Sequence, residues 1–476
     1  MSQLFKESLV VFFASAVAMM LFFFGILNPL NTRVSGDAME YLRIADGLVD
    51  ITTIANYSGT RTIGFPLFEK VIFQILSVFQ ETVFVLTWIN TIGIATLVLH
   101  VIASWSFATW ARRSALINSE TTRHQLFFFL ATFPALIGHT TTPVTDTFAI
   151  DLVLLGFFFL DASVRSKDFR ICVVSACFAA LLFGYSILVR PASLIGLGVA
   201  MSICGFMSIW GSRTSQVALS IALIGCTTLL LPSYLNCFQK YDAICLQSPK
   251  TFNVTLSMQD GLKGARILWT HPNGIPGSIP MLTDDTMFRN YYKRCQLDSI
   301  VGLGDTSFTG CLASQPLTLP AFLVKKWIGL FDYFRFTPYL ENATPSWLRI
   351  LSRTYGALAW LGFSLCFIAV LQVRKVADGS STKGRFTQNF GMLFLTFYSA
   401  ILLAQHTVLH TEERYGFPLL PICAIVMFMR GEWLVLQCRL RNFRPVLYHA
   451  LFSLCAVVVF FVQISIWDSS VSLTGN

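Results

Sequence analysis

The apolar run LVVFFASAVAMMLFFFGILNPL, residues 9–30, decides the class of protein to which this chain belongs. A transmembrane helix needs about 20 predominantly apolar residues, and this run has that length. Lys6 precedes the run, as in a secretory signal, but no small-residue cleavage site closes it. We therefore predict a retained transmembrane helix with the N-terminus in the cytoplasm.

The composition of the whole chain agrees with this prediction. Of 476 residues, 54% are hydrophobic and only 12% are charged, whereas soluble domains carry about 25% charged residues. Ten further apolar runs follow the first, near residues 82–108, 125–139, 144–160, 169–189, 192–210, 216–235, 347–373, 388–406, 416–430 and 446–467. The sequence thus predicts an all-α polytopic membrane protein with about eleven transmembrane helices.

The basic residues of the short connections are predicted to lie on one side of the membrane. A net charge of +9 suggests nucleic-acid binding in a soluble protein, but in a membrane protein the position of each basic residue matters more. Alternate threading from an inside N-terminus puts five short basic connections in the cytoplasm: residues 111–123, 164–170, 211–216, 373–385 and 437–444. Every one of these connections obeys the positive-inside rule. Membrane topology thus accounts for the excess of basic residues, and we expect membrane lipids and no nucleic acid as partners.

This threading divides the chain into three regions. Residues 1–235 form a transmembrane module with a first outer loop at 30–81, residues 236–345 form an outer-side insert, and residues 346–476 form the C-terminal transmembrane helices. The insert contains four cysteines that can form disulfides in an oxidising compartment: Cys237, Cys245, Cys295 and Cys311. Its residues 314–336 are predicted to include an interfacial helix with Lys325 and Lys326 at the lipid headgroups.

The segment SGDAMEYLRIADGLVD, residues 35–50, follows the first span and is predicted to be an amphipathic helix on the membrane surface. Four apolar residues share one face: Ala38, Leu42, Ala45 and Val49. The helix would hold Asp37 at its N-terminal end, level with the headgroups. Asp37 and Glu40 have the spacing of a capping box, so capping and chemistry are both open interpretations of Asp37.

Two further outer segments carry charge. Arg61 precedes a Gly-Phe-Pro turn and a second amphipathic segment, where it suits either a phosphate or ordinary contact with headgroups. Asp146 opens the fourth span, where it suits the helix dipole, and Asp151 lies deeper. Five residues rotate a helix by about 140°, so these carboxylates are not a catalytic pair, and Asp151 needs a polar partner or a wet cavity.

The late outer segment HTVLHTEERYGFPLLP, residues 406–421, is rich in polar groups. His406, His410, Glu412 and Glu413 could bind a metal ion, but their spacing matches no zinc pattern, so we assign no metal ligands. The chain also lacks a Walker loop, a dinucleotide-binding turn, a Gly-x-Ser-x-Gly elbow and a His-Glu-x-x-His motif. Nucleotide-driven transport and common hydrolase chemistry therefore have no support.

Five short motifs, taken in order, resemble the GT-C glycosyltransferases. They are GDAMEY at 36–41, RTIGFPL at 61–67, PVTDTF at 143–148, LVRPA at 188–192 and ERYGFP at 413–418. In pattern they are most similar to the protein O-mannosyltransferase and lipid A aminoarabinose transferase relatives. The resemblance covers residues 1–235 and 345–430 and implies a GT-C-like fold with interfacial helices.

The resemblance also implies an activity. Such an enzyme moves a sugar, with inversion, from a polyprenyl-phosphate carrier to a hydroxyl of a glycan, lipid or protein on the outer side. For this chain it implies a bacterial inner-membrane protein with its active site facing the periplasm, the ER membrane being the less favoured alternative. No cofactor is required by the resemblance, although a divalent cation is compatible with it.

The resemblance implies a role for each residue that matches a motif. The resemblance makes Asp37 the catalytic carboxylate, and it makes Arg61, Arg190 and Arg414 candidates for binding the carrier phosphate. Further substrate-binding candidates are Glu40, Tyr41, Asp146, Glu413 and Tyr415. A carboxylate can take the acceptor proton, and an arginine can stabilise the charge that develops on the leaving phosphate.

Two other functions compete with this prediction. An O-antigen polymerase or ligase acting on lipid-pyrophosphate glycans would also span the membrane many times, but it is expected to rely on Arg and His rather than on an acidic helix after the first span. A lipid-linked-glycan flippase or transporter would need cationic residues along the inside of the spans. This sequence has almost none there.

Overall fold

The structure is a computed structural model that describes residues 3–27, 37–57, 59, 61–78, 88–142, 144–208, 213–243, 245–247, 267–269, 280–282, 319–333, 345–373, 382–408, 413–441 and 443–473. Its helices are α1 (Gln3–Leu27), α2 (Asp37–Gly47), α3 (Ile51–Ala55), α4 (Gly64–Val78), α5 (Trp88–Arg113), α6 (Glu120–Ala131), α7 (Pro134–Gly138), α8 (Asp146–Arg165), α9 (Phe169–Val189), α10 (Ser193–Ser208), α11 (Arg213–Tyr241), α12 (Leu319–Gly329), α13 (Ser346–Val373), α14 (Thr382–Val408), α15 (Leu420–Arg439) and α16 (Phe443–Leu473). A 3₁₀ helix, Glu413–Leu419, leads into α15.

Helix length and composition make this an integral membrane protein. Seven helical segments within the described ranges can cross a membrane: Lys6–Leu27, Ile89–Arg113, Asp146–Arg165, Phe169–Val189, Arg213–Tyr241, Arg414–Arg439 and Phe443–Asp468. Two shorter apolar helical segments are Ser193–Phe206 and Leu393–Thr407. Every predicted apolar run overlaps a helix, so the helical membrane class is confirmed. The number of eleven spans is not confirmed by these lengths and stays a prediction.

The third predicted span, residues 125–139, is broken into α6 and α7 at Pro134. Proline has no N–H, so the Leu130 carbonyl loses its α-helical donor. The His100 Nε2 atom lies 3.0 Å from that carbonyl oxygen, and His100 Nδ1 lies 2.9 Å from Asp151 Oδ1. His100 therefore supplies the polar partner that Asp151 was predicted to need, and Asp151 stays apart from Asp146.

Described contacts bring three of the basic connections, residues 111–123, 164–170 and 437–444, to one end of the helix bundle. Arg165 donates to the Ser114 hydroxyl at 3.2 Å, and the Glu432 carboxylate accepts from the Ser119 backbone N–H at 2.8 Å. We call this the Arg-rich end, and it is the arrangement that alternate threading predicts. The opposite end, which we call the site end, contains Asp37, Asp146, Arg190 and Arg414.

At the site end, α2 packs on α4. Its buried residues are Ala38, Tyr41 and Ala45, so the predicted face with Leu42 and Val49 is only half right. The helix ends at Gly47 and Val49 is 76% exposed, because a new helix, α3, starts after Asp50. Asp50 caps α3 by accepting from the Thr53 N–H at 2.7 Å, in a capping box.

The insert is described only in part. It contains a short antiparallel pair, β1 (Ile267–Trp269) and β2 (Pro280–Leu282), and helix α12. Cys237 and Cys245 form a disulfide, as the sequence allowed, whereas Cys295 and Cys311 lie outside the described residues.

The placement of Lys326 at the headgroups is wrong. Lys326 is fully buried, with its Nζ atom 6.0 Å from the centre of the Phe322 ring, and burial lowers its pKa to about 7. Adjacent residues on a helix point about 100° apart, so Lys325 and Lys326 do not share one face.

Candidate active site

Asp146 is the centre of an ionic cluster at the site end. It is the first residue of α8 and is 1% exposed. The Arg190 guanidinium forms an ion pair with it through Nη1, and Arg414 Nη1 lies 3.6 Å from its Oδ2 atom. His139 Nδ1 approaches the same oxygen at 3.5 Å. A carboxylate suits a helix N-terminus, and here it also holds together two arginines that are distant in sequence.

The Tyr415 ring contacts both arginines of this cluster. The guanidinium carbon of Arg190 lies 5.3 Å from the ring centre, and that of Arg414 lies 5.6 Å from it. The His406 ring stacks on Tyr415 with centres 4.6 Å apart. Cation–π contact on one ring helps to fix both arginines in place.

A small cavity opens beside these groups. Its apolar lining comes from Ala149, Ile150, Ala192, Leu402 and Pro418, and its polar lining from Asp146, Arg190, Ser193, His406, Arg414 and Tyr415. Two guanidinium groups face one carboxylate, so the lining favours an anion. Arginine pairs with phosphate through parallel hydrogen bonds, which makes a phosphate group a suitable occupant.

A second cluster, on α2, contains Asp37. Arg61 reaches it from the loop before α4, forming an ion pair with Asp37 through Nη2 and donating from Nε to Glu40 Oε2 at 2.7 Å. The three side chains are between 27% and 33% exposed. Burial acts to lower the pKa of Arg61, but the charge of Asp37 and the hydrogen bond to Glu40 outweigh it and raise that pKa.

Tyr41 connects the two clusters. Its ring is buried and lies 5.8 Å from the Arg61 guanidinium carbon, while its hydroxyl lies beside the side chain of Thr145, the residue before Asp146. Burial, and then the Asp37 charge, raise the pKa of Tyr41, so the hydroxyl stays protonated. Tyr41 therefore lies between the Arg61 guanidinium and the residue that precedes Asp146.

The loop that carries Arg61 is anchored on the end of α9, next to Arg190. The Thr62 hydroxyl donates to the Val189 carbonyl at 3.2 Å, and the Tyr185 hydroxyl donates to the Gly64 carbonyl at 2.8 Å. Both arginine sites are thus fixed to the same helix terminus.

The structure brings most of the predicted site residues together in these two neighbouring clusters. Glu413 lies in the 3₁₀ helix, but its side chain is outside the described residues, as are His410 and Glu412. Sequence reasoning missed His139 and Thr145. Their signal was the polar run HTTTPVTD, residues 139–146, between two apolar helices.

Within the described ranges, one group of potential metal ligands is found, and it lies at the Arg-rich end. It consists of Glu7, Glu120 and His124, whose ligand atoms are within 4.8 Å of one another. Arg123 already pairs with Glu7 at 3.0 Å and with Glu120 at 2.7 Å. This group is therefore a neutralised ion-pair cluster, remote from Asp37.

Comparison with solved structures shows that this chain has a known fold. The oligosaccharyltransferase of Archaeoglobus fulgidus, tethered to an acceptor peptide containing the NVT sequon, aligns with 98% of this chain at a TM-score of 0.50 and 12% identity. The same enzyme in its apo form has a TM-score of 0.49 at 13% identity over 97% of this chain, and AglB in complex with an inhibitory peptide and a dolichol-phosphate has 0.47 at 13% over 98%. This chain spans 55% to 56% of the length of those proteins.

The oligosaccharyltransferase is a membrane glycosyltransferase of the GT-C superfamily. This chain has the GT-C fold. The fold predicted from the five motifs is thereby confirmed, and it extends over nearly the whole chain. No protein-family model and no curated protein sequence matches the chain.

Proposed function

We propose that this protein is an inverting glycosyltransferase that moves a single sugar from a polyprenyl-phosphate carrier to a hydroxyl acceptor. The acceptor is an envelope glycan, a lipid or a protein, on the outer side of a bacterial inner membrane. The observation that carries the proposal is the convergence of Arg190 and Arg414 on one cavity beside the helix that begins with Asp37. Such a cavity suits the carrier phosphate, and the nearby carboxylate suits the acceptor.

The proposed reaction assigns a role to each group. The Asp37 carboxylate takes the proton of the acceptor hydroxyl as its oxygen attacks the anomeric carbon. The bond between that carbon and the phosphate oxygen breaks, and its electron pair stays on the phosphate. The carrier changes from a phosphodiester to a phosphomonoester and gains negative charge, which Arg190 and Arg414 stabilise. Asp146 acts as a positioning residue for both arginines.

A disulfide supports the periplasmic location of the site end, independently of the distribution of basic residues. The disulfide Cys237–Cys245 joins the C-terminal part of α11, at the site end, to the segment that follows this helix. Disulfides persist in oxidising compartments such as the bacterial periplasm. This agrees with a cytoplasmic Arg-rich end and a periplasmic site end.

The carboxylates described at the site end are poor ligands for a divalent cation. Asp37 and Glu40 both contact Arg61, and Asp146 contacts Arg190. A cation would have to displace a guanidinium from the carboxylate that binds it. The proposed steps therefore use no metal ion.

Mass spectrometry of envelope glycans and polyprenyl-linked sugars tests the proposal. Cells with the wild-type protein, without it, and with Asp37→Asn are compared, and Asp46→Asn, an exposed carboxylate on the same helix, is the matched control. The null and Asp37→Asn cells should lose one discrete sugar mass and accumulate a lipid-phosphate monosaccharide. Purified Asp37→Asn should be slower by about 10²-fold to 10⁴-fold, as expected when a general base is removed.

Other outcomes select other functions. Asparagine keeps the size and most of the hydrogen bonding of aspartate, so normal activity of Asp37→Asn would show that Asp37 is not the catalytic base. A change in polymer length or in polymer attachment would favour the polymerase or ligase alternative. A sugar that accumulates on the cytoplasmic side would favour a flippase.

A further inference from the structure

The arrangement around Asp37 raises a problem for the proposed reaction, and this inference rests on that proposed function. Asp37 is the proposed base, yet its carboxylate is paired with Arg61, which also binds Glu40. Once Asp37 has taken the acceptor proton its carboxyl group is neutral, and a neutral carboxyl no longer forms an ion pair with a guanidinium. Arg61 therefore either opposes the reaction or changes partner during it.

The charge balance of the transfer shows what Arg61 can do. Before transfer, Asp37 is negative and the carrier phosphodiester has a single negative charge. After transfer, Asp37 has taken the acceptor proton and is neutral, while the phosphomonoester has gained one negative charge. The same step thus removes the charge that Arg61 binds and creates a new one on the phosphate.

We infer that Arg61 exchanges partners during the reaction, leaving Asp37 as it becomes protonated and binding the leaving phosphate of the carrier. Glu40 is the positioning residue of this exchange. It holds Arg61 through Nε, at 2.7 Å, and leaves the Nη2 edge, which contacts Asp37, able to change partner. Arg61 then stabilises the phosphate most strongly after charge has moved to it, which is what selective stabilisation of the transition state requires.

The geometry permits such an exchange. The three side chains are about one third exposed, so Arg61 can move without breaking a fully buried ion pair. The Arg61 loop is fixed to the end of α9, where Arg190 follows Val189. Tyr41 contacts Arg61 through its ring and reaches Thr145 at the Asp146 cluster. The phosphate held by Arg190 and Arg414 would therefore be on the same side of the site as Arg61.

The test uses Asp37→Asn as a mimic of protonated Asp37, because asparagine has the same shape and no charge. Binding of farnesyl phosphate, a short prenyl phosphomonoester, is measured on the full-length protein in detergent, with farnesol as the uncharged control. Asp37→Asn should bind farnesyl phosphate about twofold to fivefold more tightly than wild type, the range expected for releasing a partly exposed ion pair. Asp46→Asn should bind it as wild type does.

A double-mutant cycle assigns the gain to Arg61. Adding Arg61→Gln should abolish the tighter binding of Asp37→Asn, and Arg61→Lys should retain part of it. Equal binding by wild type and Asp37→Asn, or a gain that persists without Arg61, would overturn the exchange while leaving the proposed function intact. A wild-type protein that binds farnesyl phosphate no better than farnesol would instead overturn the proposed function and the exchange with it.

Discussion

Arginine–carboxylate pairs decide which charges are available at the site end. Asp146 is buried and is neutralised by two arginines, so it cannot act freely as a base. Asp37 is one third exposed and shares a single arginine with Glu40. The more exposed carboxylate, with the more readily exchanged partner, is the better candidate for proton transfer, and the buried one is the better scaffold.

Glu69 is an exception to this pairing. It is fully buried on α4, and neither carboxylate oxygen has a hydrogen-bond partner among the described residues. Burial raises its pKa from 4.5 to about 9. The side chain is therefore a neutral acid at physiological pH, which is how a buried carboxyl avoids an uncompensated charge.

This predicts a pH-dependent stability. The folded protein binds the Glu69 proton more tightly than the unfolded chain does. The contribution of Glu69 to the free energy of unfolding is therefore present at low pH and is lost as pH rises towards 9. Between pH 4.5 and about pH 9, the free energy of unfolding falls by about 1.4 kcal/mol per pH unit. Thermal unfolding in detergent between about pH 6 and pH 8 should show a steeper fall for wild type than for Glu69→Gln. Parallel curves for the two proteins would contradict the assignment.

At the scale of elements, short amphipathic helices position the site, while the long helices support it. α2 and α4 lie at the site end, and the loop between α3 and α4 delivers Arg61. Gly64 permits close contact between this loop and α9, since a Cβ atom there would lie 2.5 Å from the Leu188 carbonyl carbon. The position of Arg61 thus depends on one residue without a side chain.

Gly64→Ala should therefore impair function through geometry. The added methyl group meets the α9 backbone, which cannot move aside as a flexible side chain can. We expect a loss of transfer activity of about tenfold or more, consistent with small misplacements of catalytic groups. Gly47→Ala is the matched control, because nothing lies within 4 Å of a Cβ at Gly47. Equal activities of the two variants would show that the Gly64 contact does not position the site.

At the scale of the whole molecule, the two ends of the bundle differ in chemistry. The Arg-rich end joins basic loops through ion pairs such as Arg123 with Glu7 and Glu120. The site end combines carboxylates, arginines, aromatic rings and a cavity. This polarity agrees with the positive-inside rule and predicts which surface faces each compartment.

Cysteine labelling in intact cells checks that orientation. Asp46→Cys lies on the exposed face of α2 at the site end, and Lys167→Cys lies in an exposed turn at the Arg-rich end. A membrane-impermeant maleimide should label Asp46→Cys in intact cells, and it should label Lys167→Cys only after permeabilisation. Wild-type protein gives the background from its native cysteines. The reverse pattern would invert the proposed topology.

The sequence alone determined the membrane class and, through five motifs that resemble the GT-C glycosyltransferases, the GT-C fold. These features depend on local quantities that a chain displays directly: apolar runs of bilayer length, basic connections and motifs at chain positions that become one end of the bundle. The sequence also pointed to Asp37, Arg61, Arg190 and Arg414 as charged side chains beside predicted spans, and the resemblance to the GT-C enzymes supplied their proposed roles.

Only the tertiary structure decided how these charges pair. Asp146 meets Arg414 across a long stretch of chain, and His100 meets Asp151 between α5 and α8. Lys326 is buried although its neighbours in sequence suggested a headgroup position. Pairing and burial depend on which helix faces come together in space, and no local pattern contains that information, since each face is chosen by the packing of the whole bundle.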